Sequence, residues 1–189
     1  GLYGKFTMYE ESAGVPLLMA GPDVPRGHTV STPVTLVDIY PTILETVGVS
    51  AGMDSSDRPG RSLYGFLKDE DPGRVAFGEY HALGCRHGFF FVRQDRHKLV
   101  YYVEGSPQLF DLETDPEERR DLAGSAEHRE VLERMEMKLR AIVDPEAADR
   151  DARADQEEVI RRSGGREAVI TRGSFENSPV PGEAPKFKH

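Results

Sequence analysis

His81, Cys85 and His87 stand close together and carry the side chains most often used as nucleophile, base or metal ligand. A Cys–His pair becomes a nucleophilic site only where a third group orients the base, and a zinc site needs further ligands at close spacing. The stretch GEYHALGCRHG has neither a C-x-x-C nor an H-E-x-x-H spacing, so it reads as a loop or strand thiol beside surface histidines. His28 and His97 lie in polar stretches and read as exposed. The acid pairs Glu10-Glu11, Glu117-Glu118 and Glu157-Glu158 invite an acid–base or cation-binding reading. Adjacent side chains do not face one point, however, and solvated charge is the expectation for all three. Asp111, flanked by Leu109 and Leu112, is expected to cap a turn. No G-x-S-x-G elbow and no phosphate-cradling G-x-x-x-x-G-K-[ST] occurs.

The elements that must position these residues follow from periodicity. Val15 to Ala20, ending at Gly21-Pro22, reads as a buried strand with Pro16 at its start or edge. Asp38 to Gly48 reads as a helix with Asp38 as N-cap, Pro41 in the first turn and Gly48 at the left-handed C-terminal position. Its Ile39, Ile43 and Val47 share a face with Tyr40 and Leu44. Ala51 to Arg61 is a loop, and SLYGFLK, 62–68, supplies one or two helical turns. From Val75 the period changes. Segments 75–80, 88–93, 97–103 and 108–112 are aromatic and β-branched and predict three or four antiparallel strands, with a hairpin at Gln94-Asp95-Arg96. Val131, Leu132, Met135, Leu139, Ile142 and Val143 recur at helical spacing, so helix 125–143 is expected to cover one face of the small sheet. Residues 146–162 are a solvated helix or nothing, and the last segment, with Val169-Ile170, Phe175 and Phe187 between Gly and Pro, reads as a strand or extended arm.

The chain has a net charge of −9, which argues against nucleic acid or an anionic membrane as partner. Its apolar runs fall far short of a membrane span. The single Cys85 excludes an internal disulfide. No charged-then-apolar leader is seen in these residues, which says nothing if a leader precedes Gly1; a cytoplasmic setting is the expectation, with a periplasmic or secreted one as the alternative.

Four segments, in order, resemble the sulfatase family of the alkaline-phosphatase-like superfamily. GLYGKFTMYEESAGVPLLMAG is similar to that family's stretch in which an active-site lysine precedes Y-E-E-x-x-R-V-P-L, with Gly14 where the family has Arg. STPVTLVDIYPTILETVGV resembles its V-D-x-x-P-T-x-L helix, and GRSLYGFLK its G-x-S-L turn. RQDRHKLVYYVEGSPQLFDLETDPEERRDLA resembles its C-terminal hairpin and L-Y-D-L-x-x-D-P-x-E-x-x-N-L signature, with Phe110 and Asp121 replacing Tyr and Asn. The pieces GEYHALG and SGGREAVITRGSF are similar to the choline-sulfatase-like and arylsulfatase branch.

The resemblance implies an α+β chain, a fragment of an α/β alkaline-phosphatase-like fold. Residues 1–74 would end the large α/β domain, 75–144 would form a small antiparallel-sheet subdomain packed by helix 125–143, and 145–189 a polar helix and extended tail. It implies a sulfuric ester hydrolase acting on a small-molecule sulfate ester through formylglycine and a Ca²⁺ or Mg²⁺ ion. Nothing here matches the C-x-P-S-R block that yields formylglycine, and the ion's ligands would lie upstream of Gly1. No cofactor is therefore expected in this chain, which on its own is expected to be inactive. One catalytic role carries over, to Lys5, whose ammonium would bind the sulfate ester. Glu79, Tyr80 and His81 become candidate substrate contacts, an acid and an aromatic face suiting a cationic head group such as choline. The alternatives are a phosphonate or phosphodiester hydrolase of the same superfamily and a non-catalytic binding or assembly module. Residues 163–189 hold apolar anchors without a core, so a homo-oligomer formed through the tail is expected.

Overall fold

The computed structural model describes residues 6–49, 59–82, 85–175 and 187–188. The chain falls into two compact units, Gly1–Pro145 and Glu146–His189. The first is α+β, centred on a four-stranded antiparallel meander: β1 (Val75–Tyr80), β2 (Phe89–Gln94), β3 (His97–Tyr102) and β4 (Gln108–Asp111), paired in that order. Gln94 pairs with His97, so a two-residue turn, Asp95-Arg96, closes the β2–β3 hairpin, with Asp95 in the left-handed region at φ 51°. Asp tolerates that region because its short side chain bonds locally.

Strand alternation gives the sheet two distinct faces. Cross-strand partners share a face, which puts Phe77, Phe90, Val92, Leu99 and Leu109 on one side. The helix α4 (Arg129–Ile142) covers that side with the buried Met135 and Leu139, and Arg140 donates to the Tyr101 hydroxyl at 2.9 Å. A one-turn 3₁₀ segment, Ala126–His128, leads into α4. The helix expected to cover the sheet thus does so. The other face carries Tyr80, Phe89, Phe91, Lys98, Val100 and Phe110. It is covered by the N-terminal segment that leads into the short helix α1 (Glu10–Ala13), with Met8 buried against Phe89, Val100 and Phe110. Gly78 on this face is a packing requirement, because a Cβ there would stand 2.3 Å from the Phe91 ring.

Ahead of the sheet, α2 (Ile39–Thr46) and α3 (Leu63–Lys68) are tied together by Asp38 and Thr42. Asp38 stands at the expected N-cap position of α2, but its side chain caps no N–H of that helix. It ends a 3₁₀ turn, Leu36–Asp38, and its carboxylate accepts from Thr35 N–H at 2.8 Å in a capping box. The same carboxylate accepts from Arg61 N–H at 2.8 Å and from the Arg74 guanidinium at 2.6 Å. Thr42 Oγ1 donates to Asp38 O at 2.6 Å and accepts from Leu63 N–H at 2.9 Å. The V-D-x-x-P-T spacing therefore serves to stitch two helices across the intervening loop. At residue 60 only glycine fits, since a Cβ would lie 2.1 Å from Val37 O. Gly48 takes the left-handed position expected, at φ 73°.

Three expectations change. Val15–Ala20 is not a strand: Pro16 lacks a ladder donor, no described strand pairs with it, and Leu18 is 93% exposed. The apolar face of α2 is likewise open, with Tyr40, Ile43 and Val47 exposed and the small polar Thr42 buried in their stead. In the second unit, where α5 (Pro145–Arg162) carries many charges, the segment around Val169-Ile170 forms α6 (Arg166–Arg172). There Gly165, at φ 89°, starts a helix that Arg, Glu and Ala favour over the β-branched pair. The chain then ends in a short antiparallel pair, β5 (Ser174–Phe175) with β6 (Phe187–Lys188).

Asp38 is fully buried with three donors around it. Removing one partner of a buried pair costs about 3–5 kcal/mol, because the other charge is left uncompensated. Asp38→Ala is expected to lower stability by roughly that amount in urea unfolding. A loss well below 1 kcal/mol would contradict the assigned role of this carboxylate.

Candidate functional site

Lys5 lies outside the described residues, so the site is defined by what surrounds the segment it leads into. Phe6 sets its ring edge against Tyr80, with centroids 6.3 Å apart, and Tyr80 in turn stacks on Phe89 at 5.0 Å. Tyr80 therefore shares the sheet face of the N-terminal segment. Glu79 does not, since successive side chains of β1 point to opposite faces. Glu79 faces the α4 side with His81, whose Nε2 is 3.4 Å from the Glu79 carboxylate and whose ring stands edge-on to Phe90 at 5.2 Å. The structure thus brings Tyr80 to the Phe6 side and places Glu79 and His81 together on the other.

The dominant feature of the Phe6 side is a buried charge cluster that residue-by-residue reading missed. Lys98 is fully buried, with its ammonium 2.7 Å from Glu10 and 2.9 Å from Glu118. The Glu118 side chain is 1% exposed, and its second oxygen accepts from Glu10 N–H. Glu118 reaches inward from a left-handed backbone at φ 52°. Arg93, the cross-strand partner of Lys98, lies 3.5 Å from the same Glu10 carboxylate. Like charges directly opposite on two strands repel, and Glu10 bridges them. The expectation that Glu10 and Glu118 are solvated charge is corrected here. Neighbour rules along the chain could not find partners 88 and 108 residues away. The available signal was Lys98 itself, a charge on the strand face shared with Val100 and Phe110.

Other residues act as scaffold. Cys85 donates to Ala82 O at 2.9 Å and packs at the edge of the core, and His87 lies 3.3 Å from Glu104. Among the described residues, no group of three His, Cys, Asp or Glu side chains is placed to hold a metal ion. Asp111 closes the turn after β4, accepting from Glu113 N–H and pairing side by side with Arg96. That guanidinium holds its carboxyl well below the usual carboxylate range. His97, expected to be exposed, is half-buried, and burial lowers its imidazole below the ordinary value. Asp121 accepts from Leu109 N–H at 3.0 Å and Ala123 N–H at 2.9 Å, which an Asn oxygen would do equally.

The α+β sheet, the stitched helices and the paired hairpin–turn unit define the class, and comparison with known proteins agrees. The family model described as "N-sulphoglucosamine sulphohydrolase, C-terminal" matches residues 1–144, and the chain belongs to this family of sulfatase C-terminal domains. Among its relatives, Arylsulfatase K of Xenopus laevis is 37% identical over 153 residues, covering 74% of this chain and 28% of the relative. Arylsulfatase K of Homo sapiens is 34% identical over 152 residues, covering 74% and 27%. The solved structure of a 2-O GAG sulfatase aligns with a TM-score of 0.55 at 25% identity, over 65% of this chain and 28% of that one. The chain thus spans about a quarter of the length of the curated relatives it matches.

Beside the cluster, the Tyr9 and Tyr102 hydroxyls both donate to the Gln108 side-chain oxygen, at 3.1 and 3.0 Å. Burial, reinforced by Tyr9, pushes the Tyr102 phenol up to about 12. An acid whose folded value is raised keeps its contribution to stability below its ordinary value near 10 and loses it as pH climbs through about 12. Ultraviolet titration should show a late phenolate transition that Tyr102→Phe abolishes. A Tyr102→Phe titration identical to the parent's would refute this.

Proposed function

We propose that this chain is the C-terminal part of a sulfatase that hydrolyses sulfate esters, and that Lys5 binds the ester. The observation that carries the reading is the family match over residues 1–144. The anchoring of Phe6, Met8, Tyr9 and Glu10, the residues that follow Lys5, on one sheet face supports it. A compact ammonium with three donors suits an oxygen on which charge builds as the S–O bond breaks. Tyr80, on the Phe6 side, is the candidate contact to the alcohol portion, and its ring could meet a cationic group. Glu79 and His81 face the α4 side and would reach substrate only past the end of β1.

In this reading formylglycine supplies the nucleophile and a divalent ion such as Ca²⁺ or Mg²⁺ polarises the sulfate when bound. The described residues do not form a ligand set for such an ion, so no residue among them is assigned to it. The isolated chain would then be inactive while carrying one wall of the pocket. The decisive measurement is kcat/KM of the full-length enzyme on aryl and sugar sulfates, beside phosphonate monoesters and phosphate diesters. Lys5→Ala is expected to lower sulfate-ester kcat/KM on the order of a hundredfold, as loss of one oxyanion donor does elsewhere. Unchanged turnover in Lys5→Ala, or preference for the phosphorus esters, would defeat the proposal.

The tail supports a second proposal, that residues 163–189 engage another copy of the chain. Val169 and Ile170 of α6 are exposed, and the β5–β6 pair follows directly. Light scattering of a chain ending at Asp144 should show a smaller assembly than the full chain. An equal number of subunits in the two assemblies would overturn the proposal.

A further inference from the structure

We infer that Lys98 is a positioning residue: by holding Glu10 it fixes the segment Phe6–Ala13, and with it the approach of Lys5, on the sheet. The inference rests on the reading of Lys5 as the ester-binding lysine. Lys98 meets the segment at Glu10 and is itself fully buried. Its ammonium has no solvent exposure and sits 5.5 Å from the Phe91 ring centroid, between the carboxylates of Glu10 and Glu118. Those acids are also locked to each other, Glu118 accepting from Glu10 N–H.

A buried ion pair of this kind is a poor source of stability, since apolar residues of equal volume serve as well or better. What it supplies is register. Glu10 is held by two contacts at once, its carboxylate on Lys98 and its own N–H on the Glu118 carboxylate, so a slip of α1 by one residue would have to remake both. Toward the N-terminus the same alignment puts Tyr9 on Gln108, Met8 in the core and Phe6 on Tyr80. A displacement at Glu10 would be passed through four consecutive residues to Lys5. Catalysis is sensitive to such displacement, an ångström of misplacement costing up to about a hundredfold.

The test uses the full-length enzyme with the cluster neutralised in place, Lys98→Met/Glu10→Gln/Glu118→Gln, which leaves no buried charge unpaired. Glu10→Gln alone, which keeps Lys98 paired with Glu118, is the second variant should the first not fold. Amide hydrogen exchange and kcat/KM on an aryl sulfate are read together. The expected result is lost protection across residues 8–13 with Met135–Leu139 unchanged, and kcat/KM down roughly ten- to a hundredfold. Adding Lys5→Ala to the neutralised variant should then cost less than it does in the parent. Unaltered exchange over 8–13, or full kcat/KM with that protection lost, overturns the role of Lys98. Parent-like kinetics in Lys5→Ala by itself overturns the reading of Lys5 instead, and the two failures are separate because one variant leaves Lys98 intact and the other leaves Lys5 intact.

Discussion

An ammonium buried in the middle of a sheet imposes its own terms on everything around it. Taking Lys98 out of water costs several kcal/mol, offset only where carboxylates come close and their remaining lone pairs are bonded. Arg93 doubles the demand by standing across the strand pair from it. Two cations therefore call for two acids, and Glu10 and Glu118 answer from opposite ends of the unit. The Y-E-E and D-P-x-E spacings, far apart along the chain, turn out to be halves of one interaction. The turn after β4 must put Glu118 in a left-handed conformation to deliver it, a local strain that the cluster over-determines.

Asp38 and Arg74 repeat the logic in the helical part. A buried carboxylate is surrounded by two backbone N–H groups and a guanidinium, and that guanidinium also lies over the Phe66 ring at 4.9 Å. Among the described residues, the acids of the family spacings are thus structural fasteners. Asp38 joins a 3₁₀ turn to the chain before α3, Asp111 closes a turn with Arg96, and Asp121 fastens the chain to β4. In the proposed reading, chemistry would fall to a few side chains at the edge of this scaffold.

Legibility from sequence followed the range of the forces involved. The four strands, the hairpin, α3 and the apolar stripe of α4 rest on local periodicity, and each was readable. Glu10, Glu118 and Lys98 were not, because their meaning lies in contacts across 88 and 108 positions. Val15–Ala20 and the face of α2 misled for a different reason. Their apolar pattern announces burial, yet Leu18, Ile43 and Val47 meet solvent in this chain. In α6 the apolar Val169-Ile170 suggested a strand or extended arm, and helix-favouring neighbours after Gly165 prevailed. The acid pairs show the limit most clearly: one member of Glu117-Glu118 is buried and the other pairs at the surface with Arg119.

The two faces of the sheet divide the labour, and that division constrains how the site can vary. The face under α4 is closed by Phe90, Val92, Leu99 and Leu109, all without exposure, so changes there are felt as cavities or strain. The opposite face is covered by the N-terminal segment together with Glu118, held through charge and aromatic contacts, and its edge at Tyr80 and Phe6 is only partly covered. Since neighbouring side chains on β1 serve different faces, Tyr80 can change without disturbing the α4 core, whereas Glu79 and His81 stand beside Phe90. In the proposed reading, substrate preference would be tuned most readily at the Tyr80 edge, while Lys98 stays fixed because removing its charge alone strands the buried Glu118 carboxylate.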